Sequence, residues 1–420
     1  MPVISNLHAR EIIDSRGQPT IEVDLAFGGG GKGVSQVESG TSIGSYEMHE
    51  LRDGDLGRLN GQGVKRVVEN INNYLAPELK KAEYTTQRMF DQYVVGLDGT
   101  PSLERYGANG ILGVSLAFAQ AMADRDKTPL FQYFGTGKKL PIPMFTIFNG
   151  GKLASFSTDA QEFNIFIKDT PSFSEALRIG TEIYHSVGQG LKDQGFDKKL
   201  GDEGGYAVPN ATTDQGMQLI VEGVERAGFT RDSIGIVLDV AATNLFTNAQ
   251  LYHLAHHDGD VPAEYLIQKF EKLSTNFPLA GVEDGLADQD WNSWTELNRR
   301  LGDKIMIIGD DIFSTNAVRL EKGYTDKIAN SIMIKPTQIG TLTGAIDAID
   351  SAVKLGLIPI LSHRSGDTEN SYLAHFAVGL GVPYVKFGAP ARGERTAKYN
   401  ELLRIEEMLK ETTPVENKDN

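Results

Sequence analysis

Hydrophobic and polar positions follow two different periods in the first third of the chain, and both are typical of regular structure. Residues 20–25 alternate between apolar and polar side chains, which predicts a half-buried strand. The four glycines at 28–31 come next and predict a hairpin loop, since they lack the spacing of a phosphate-binding loop. Residues 63–82 and 107–126 have helical periodicity and many good helix formers. We therefore expect a small α+β domain over residues 1–135.

A different rhythm follows residues 140–143, where two prolines in four positions predict a stiff, extended linker. From there, short β-branched runs alternate with helical stretches, at 163–167, 235–239, 279–283, 305–309, 331–335, 358–363 and 384–386. The last five polar markers of the series lie at intervals of 27, 25, 28 and 23 residues: Glu283, Asp310, Lys335, His363 and Lys386. Each interval accommodates one strand, one helix and two loops. The rhythm predicts a parallel βα barrel over residues 140–420, although a doubly wound open sheet would show similar spacing.

Composition and charge narrow the classes of partner. The 420 residues include 41 Lys plus Arg against 56 Asp plus Glu, a net charge of −15, so nucleic acid is not an expected partner. An anionic substrate would need a local cationic pocket or a metal. The absence of Cys fits a reducing compartment. With no visible signal peptide and no apolar run of about 18 residues, we expect a cytoplasmic protein without a membrane span.

Three acids end successive predicted strands, and the carboxyl ends of barrel strands converge on one face. Asp239, Glu283 and Asp310 offer oxygen ligands without Cys or nearby His, which suits Mg²⁺, while Ca²⁺ and Mn²⁺ accept the same ligand type. Without a cation, the three carboxylates would repel and raise one another's pKa. The pattern therefore predicts a magnesium site at the barrel mouth.

Lys335 ends a strand that is otherwise apolar, and an ammonium group there has a cost unless it is paired or neutral. Near a metal and other cations its pKa would fall, which would make it a competent base. A metal beside a substrate carboxylate would then stabilise the enediolate left when the base removes the α-proton. The alternative is a structural ion pair of Lys335 with Asp310 or Glu283.

Two further segments carry candidate chemistry. His363, Arg364 and Ser365 lie together and offer donors that suit a phosphate or carboxylate. Residues 201–205 present Asp202 and Glu203 between glycines, and a carboxylic acid there would protonate a leaving hydroxyl. A turn with solvated acids is the alternative for this second segment.

These motifs together resemble the enolase family, and the similarity covers nearly the whole chain. The matching segments include Asn149-Gly150-Gly151, Gln161-Glu162-Phe163, Gly201-Asp202-Glu203-Gly204-Gly205, Asp239-Val240-Ala241-Ala242, Gly309-Asp310-Asp311, Ser362-His363-Arg364-Ser365-Gly366 and Lys398-Tyr399-Asn400. The resemblance implies an α/β protein of the enolase fold, with an N-terminal α+β cap and a modified ββαα(βα)₆ barrel.

The resemblance also implies roles for individual residues. It places one or two Mg²⁺ per subunit on Asp239, Glu283 and Asp310, with Ser42 reaching the second ion. It makes Lys335 the general base at C2, and Glu203, supported by Glu162, the group that helps the 3-hydroxyl leave. For the substrate contacts it implies Lys386 at the carboxylate, Arg364 and Ser365 at the phosphate, and His363 and Gln161 beside them. It further implies a homodimer with a Glu22–Arg404 pair across subunits.

The departures from the family pattern cluster around the substrate. Enolases follow Asn-Gly-Gly with Ser-His-Ala, whereas Leu153 here takes the place of that His and offers no hydrogen bond. The loop around Ser42 and residues 285–286 are also altered. His253, His256 and His257 either replace the missing histidine or belong to an exposed polar loop.

The residues expected to transfer protons match the family, whereas those expected near the phosphate differ. This pattern favours the family's proton abstraction on a different substrate. One lost charge-assisted hydrogen bond costs roughly 1.5–3 kcal/mol. We therefore expect an enzyme of phosphonate natural-product biosynthesis that acts on a phospho- or phosphono-carboxylate, for example to form carboxyphosphonoenolpyruvate. The first alternative is the glycolytic lyase reaction from 2-phosphoglycerate to phosphoenolpyruvate and water. A non-catalytic binding protein is the third, and it leaves the retention of Glu162, Glu203, Lys335 and Lys386 unexplained.

Overall fold

The N-terminal part of the protein is a three-stranded antiparallel sheet backed by helices. The computed structural model describes residues 3–41, 44–154, 158–208 and 211–412. The strands, in the order β1-β2-β3, are β1 (Ile4–Ile13), β2 (Pro19–Phe27) and β3 (Lys32–Gln36). Ile21, Val23 and Leu25 of β2 are buried, and the polar residues between them are half-buried, so the predicted alternation is confirmed. The glycine loop after β2 forms the expected hairpin turn to β3.

Helices cover one face of this sheet and connect it to the rest of the chain. They are α1 (Lys65–Asn70), a π-helical turn (Ile71–Leu75), α2 (Ala76–Leu79), α3 (Gln87–Asp98), α4 (Ala108–Arg125) and α5 (Leu130–Phe134). The predicted helices are confirmed as α1–α2 and α4, while α3 and α5 were not predicted. Helix α4 packs closely on the sheet because a Cβ at Gly113 would lie only 2.9 Å from Val23. On the barrel side, Asp91 of α3 accepts a hydrogen bond from the backbone of Thr343 at 2.9 Å.

Eight strands among the described residues close into a barrel in the order β10-β11-β4-β5-β6-β7-β8-β9. They are β4 (Ile142–Asn149), β5 (Glu162–Ile167), β6 (Ile234–Asp239), β7 (Leu279–Glu283), β8 (Met306–Gly309), β9 (Ser331–Ile334), β10 (Ile358–Ser362) and β11 (Tyr384–Lys386). The helices are α6 (Phe173–Asp193), α7 (Thr213–Arg226), α8 (Ala263–Asn276), α9 (Trp291–Leu301), α10 (Ala317–Thr325), α11 (Pro336–Ile339), α12 (Leu342–Lys354), α13 (Tyr372–Leu380) and α14 (Gly393–Thr412). The chain order is two strands, two helices and then alternating strands and helices, which confirms the ββαα(βα)₆ expectation.

Two expectations about the barrel were wrong. Residues 140–143 are not all linker, because Ile142 and Pro143 begin strand β4, where Pro143 pairs with Val385. Proline is tolerated near the start of a strand, so it did not mark the element boundary there. The barrel is also not wholly parallel, since β5 runs antiparallel to both β4 and β6. As a result, the first residue of β5 lies at the same end of the barrel as the last residues of the parallel strands.

Apolar side chains fill the inside of the barrel. Met144, Val237, Ile308, Met333 and Ile360 come from five different strands and form one buried cluster. A packed interior confines chemistry to the ends of the strands, where side chains reach solvent or the cap. In the ranges that the structure describes, no helix is both long and apolar enough to cross a membrane.

Candidate active site

A narrow cavity opens at the carboxyl end of the barrel strands, under the cap. Its lining includes most of the site residues expected from the sequence: Leu153, Gln161, Glu162, Glu203, Asp239, Asp310, Lys335, His363, Arg364, Ser365 and Lys386. Gly40 and Thr41 of the cap complete it from above. Ser42, and with it the expected second magnesium ligand, lies outside the described residues.

Lys386 is the central cation of this cavity. Its Nζ lies 2.7 Å from Oε2 of Glu283, 3.1 Å from Oε1 of Glu162 and 3.3 Å from Oδ2 of Asp239. The strand register explains the convergence, because Asp239 pairs with Glu283 on one side and with Glu162 on the other. Lys386 therefore contacts carboxylates of the protein itself at the mouth of the barrel.

This arrangement shifts the pKa values of the acids. Burial raises the pKa of Glu283 to about 7, and burial together with Glu283 raises the pKa of Asp239 well above its usual range. Mutual elevation was expected for these two. It does not hold for Asp310: burial raises its pKa, but Lys335, Lys386 and the hydrogen bond from Gln338 together outweigh burial, so the pKa of Asp310 is lowered. The acids of this cavity therefore differ: the pKa is raised at Glu283 and Asp239 and lowered at Asp310.

One group of acids has the geometry of a cation site. In the described part of the chain, Asp284, Asp310 and Asp311 each offer one carboxylate oxygen, and these three oxygens lie within 4.8 Å of one another. The donors are all oxygen and buried, which fits a hard divalent cation such as Mg²⁺. Only Asp310 is shared with the trio expected from the sequence. Asp284 and Asp311 were missed, although each directly follows a residue of that trio.

Lys335 follows strand β9 and donates a hydrogen bond from its Nζ to Oδ2 of Asp310. Burial lowers the pKa of Lys335, but attraction to Asp310 and Glu283 outweighs burial and leaves the pKa raised. The expected fall in the pKa of Lys335 beside a bound metal stays a prediction. The ion pair with Asp310, which the sequence left open as an alternative, is present.

Glu203 lies on a tight loop between α6 and α7. The loop is closed by a hydrogen bond from the Gly201 amide to the Gly205 carbonyl at 2.8 Å. A Cβ at Gly201 would lie 2.4 Å from the side chain of Asn149, so only glycine fits there. Glu203 is buried, and the alternative of a solvated acid at this position is wrong. Burial and then the neighbouring Glu162 raise the pKa of Glu203 to about 8, so Glu203 is a protonated acid at neutral pH.

The pKa of Glu162 is shifted downward, in the opposite direction to that of Glu203. Burial raises its pKa, but the attraction of Lys386 and the hydrogen bonds to Glu162 together outweigh burial and lower the pKa of Glu162. Two neighbouring carboxyl groups with pKa values pushed in opposite directions are typical of acid–base sites. This supports the pairing of Glu162 and Glu203 that the family resemblance implied.

The segments at the edge of the cavity connect the cap to the barrel. Nη1 of Arg364 lies 2.8 Å from Oε2 of Glu47 and 3.1 Å from Oγ1 of Thr337. The Thr41 amide donates to Oγ of Ser365 at 2.8 Å. Both residues expected at a phosphate group are therefore in contact with the cap.

Leu153 lies on a 3-10 turn, Gly151–Ala154, and is buried against the cavity. Its carbonyl accepts a hydrogen bond from the Asp202 amide at 3.2 Å, next to Glu203. His256 and His257 line a different cavity, together with Lys269 and Lys272, and His253 contacts Asp260 at 2.9 Å. None of these histidines lines the cavity that contains Leu153.

Glu22 and Arg404, the residues predicted to pair across subunits, each contact other residues of their own chain. Glu22 accepts hydrogen bonds from Arg10 and from Gln36, the latter at 2.9 Å. Arg404 is exposed and lies 2.6 Å from Glu401. A homodimer with a Glu22–Arg404 pair stays a prediction.

Comparison with protein families covers both parts of the chain. Residues 4–134 match the family model for the enolase N-terminal domain. Residues 137–420 match the model for the enolase C-terminal TIM barrel domain. The two matches account for nearly the whole sequence and agree with the barrel topology. The chain belongs to the enolase family.

Proposed function

We propose that this enolase-family enzyme removes the α-proton of a phospho- or phosphono-carboxylate and serves phosphonate natural-product biosynthesis, for example in carboxyphosphonoenolpyruvate formation. Lys335 is the base and Glu203 the acid. The observation that carries the proposal is the buried Leu153, which lines the same cavity as Lys335, Glu203 and Lys386. Leu153 gives the cavity an apolar surface where the family has a histidine near the phosphate, while the proton-transfer groups are all present. This combination favours the same chemistry on a different substrate.

The barrel order gives the acid and the base different sides of the substrate. Lys335 follows β9, and the loop of Glu203 is bonded through Asn149 to the end of β4, at 3.2 Å. β9 and β4 are separated by β10 and β11 around the barrel. A base and an acid on separate walls suit removal of a proton and departure of a hydroxyl from different faces of one substrate.

Asp239, Glu283 and Asp310, with Asp284 and Asp311 beside them, are the residues that would hold magnesium. Their buried, oxygen-only donor set fits such an ion. Bound magnesium would supply positive charge beside the substrate carboxylate, which makes the α-proton more acidic. Lys335 must give up its hydrogen bond to Asp310 and lose a proton before it can act as a base.

Ordinary dehydration of 2-phosphoglycerate is the second candidate. It is favoured by the raised pKa of Glu203, because a leaving hydroxyl needs a protonated acid. Against it stands Leu153, which cannot donate a hydrogen bond to phosphate. The missing bond would cost about 1.5–3 kcal/mol, or roughly one to two orders of magnitude in rate or affinity.

A substrate panel with Mg²⁺ separates the two candidates. The enzyme is incubated with 2-phosphoglycerate alone and with 2-phosphoglycerate plus phosphonoformate, and products are followed by ³¹P NMR. We expect a new carbon–phosphorus product and slow dehydration of 2-phosphoglycerate. Dehydration at about 10 s⁻¹ or faster, with no phosphonate product, would overturn the specialised substrate and leave the ordinary lyase.

A further inference from the structure

Arg395, near the start of α14, is completely buried behind the cavity. Its Nη1 lies 2.5 Å from Nδ1 of His363 and 3.1 Å from Oδ2 of Asp367. Its Nη2 donates to the carbonyl of Ser365 at 2.5 Å and to that of Asp202 at 3.2 Å. The guanidinium therefore ties the segment of His363 to the loop that carries Glu203.

The contact with Arg395 indicates which nitrogen of His363 carries the proton. A guanidinium has only donors and stays protonated in proteins, so Nδ1 of His363 must accept. A neutral imidazole with an accepting Nδ1 has its proton on Nε2. The charge agrees, because burial and then Arg395 lower the pKa of His363 well below its usual range.

The protonated nitrogen of His363 is directed to Glu203. Nε2 lies 3.5 Å from Oε1 of Glu203, and it has no hydrogen-bond partner among the described residues. Gly388 allows this close packing, because a Cβ there would lie 2.9 Å from the His363 ring, from Arg395 and from the Glu203 carbonyl. The other carboxyl oxygen of Glu203, Oε2, lies 3.2 Å from Nδ2 of Asn149. Two donors thus approach the two oxygens of one buried acid.

We propose that Arg395 is a positioning residue that fixes His363 as the Nε2–H tautomer, so that His363 stabilises the carboxylate of Glu203 during the reaction. The proposal rests on the role of Glu203 as the acid of the proposed function. Glu203 gives its proton to the departing hydroxyl oxygen, the carbon–oxygen bond breaks with its electron pair on oxygen, and water leaves. The proton on Nε2 stays on His363 throughout.

His363 stabilises the developing carboxylate of Glu203 in the transition state. Before the reaction Glu203 is neutral, and Nε2 of His363, at 3.5 Å, makes no hydrogen bond to it. As the proton leaves, negative charge develops on Glu203, and a donor already in place binds the charged form about twice as strongly. In the other tautomer, Nε2 would be an acceptor and would compete with the leaving group for the proton of Glu203.

Nitrogen NMR on the full enzyme tests the tautomer directly. The protein is labelled with ¹⁵N-histidine, and His363 is assigned by its absence from the spectrum of His363→Gln. At pH 7 we expect Nδ1 of His363 to have the shift of an unprotonated nitrogen and Nε2 that of a protonated one. The opposite tautomer, or a doubly protonated ring, in the native enzyme would overturn the proposal without any variant at Arg395.

Arg395→Met then tests the consequence, with Lys398→Met as its matched control. Lys398 is a second buried cation of α14 and contacts Asp367 at 2.9 Å, but it makes no hydrogen bond to His363 in the described residues. We expect Arg395→Met to populate the Nδ1–H tautomer and to lower kcat by about 10–100-fold with little change in KM. Lys398→Met should leave the tautomer of His363 unchanged.

Two outcomes would contradict the positioning role of Arg395, and a third outcome concerns the role of Glu203 instead. An unchanged tautomer in Arg395→Met, or an equal change in Lys398→Met, would overturn the positioning role. If Glu203→Gln retained full activity while the NMR result held, the proposed acid would be wrong and the tautomer assignment would stand. The NMR readout needs no substrate, so failure of the proposed substrate is distinguished from failure of this inference.

Discussion

Glu47 of the cap holds Arg364 of the barrel, with Nη1 2.8 Å from one carboxylate oxygen and Nη2 3.2 Å from the other. Both side chains are buried, at 6% and 5% exposure. Because Arg364 is the residue proposed to bind the phosphate or phosphonate, a carboxylate of the protein already occupies part of its donor set. The substrate anion must share or replace this contact.

Glu47→Gln is expected to reduce stability and to make the protein more responsive to anions. Removing the charge leaves a buried guanidinium poorly compensated, and we expect a loss of about 1.5–3 kcal/mol in the free energy of unfolding. Phosphate should raise the melting temperature of the variant more than that of the parent. Thermal unfolding with and without phosphate measures both effects.

Asp347→Asn is the control for Glu47→Gln. Arg88 and Asp347 also connect the cap to the barrel, at 2.5 Å, but they are 50% and 45% exposed. An exposed pair contributes about 0–1 kcal/mol, so this variant should be nearly neutral. Equal losses for the two variants would contradict the importance of burial at Glu47.

Lys335→Arg and Lys335→Met separate the base from the ion pair with Asp310. Arginine keeps a positive charge beside Asp310 but cannot deprotonate, whereas methionine removes both. We expect both variants to slow α-proton exchange by about 10²–10⁴-fold. Exchange of substrate protons in deuterated water, followed by NMR, measures this step alone. Retention of full exchange in Lys335→Arg would exclude Lys335 as the base.

The raised pKa of Glu203 predicts the alkaline limit of the reaction. The acid form is required, and it is lost as pH rises through about 8. We therefore expect kcat/KM to fall about tenfold per pH unit above that value. Asp202→Asn is the control in the same loop and should keep this limb. A flat profile up to pH 9.5 would contradict the assignment of Glu203.

The pH dependence of protein stability tests the raised pKa of Glu203 independently of activity. The pKa of Glu203 is higher in the folded protein than its usual value of 4.5, so ionisation in the unfolded chain disfavours folding. This penalty is absent below about pH 4.5, grows as pH rises, and is complete near pH 8. Relative to the parent, Glu203→Gln should therefore be more stabilising at pH 8 than at pH 5 in denaturant unfolding.

The sequence predicted the barrel strands to within one residue at each end, since buried β-branched runs that stop at a charge leave a clear pattern. It missed β4, because Pro141 and Pro143 resemble a linker and burial on both faces removes the alternation that marks a strand. The pairing of Arg395 with His363 was also missed. They are 32 positions apart, and nothing in the polar start of α14 distinguishes a buried arginine from a solvated one.

Magnesium binding should weaken at low pH. Burial raises the pKa of Glu283 to about 7, and burial with Asp310 raises that of Asp311 to about 7, so protons compete with the metal below that pH. We expect at least about tenfold weaker affinity at pH 6 than at pH 8 by titration calorimetry. Two variants identify the ligands: Glu283→Gln should abolish binding and Asp311→Asn only weaken it. The reverse order would assign the metal to Asp284, Asp310 and Asp311.

Leu153→His tests whether the apolar surface at this position selects the substrate. A histidine there restores a donor beside the phosphate side, and we expect dehydration of 2-phosphoglycerate to rise by about 10–100-fold. Leu153→Gln is the matched control, because glutamine donates without charge and should gain only about 2–10-fold. The proposed phosphonate reaction should fall in both variants, since a polar group then replaces an apolar contact in a buried position. If neither variant gains activity on 2-phosphoglycerate, Leu153 does not determine the substrate, and the altered cap loop around Thr41 becomes the place to look.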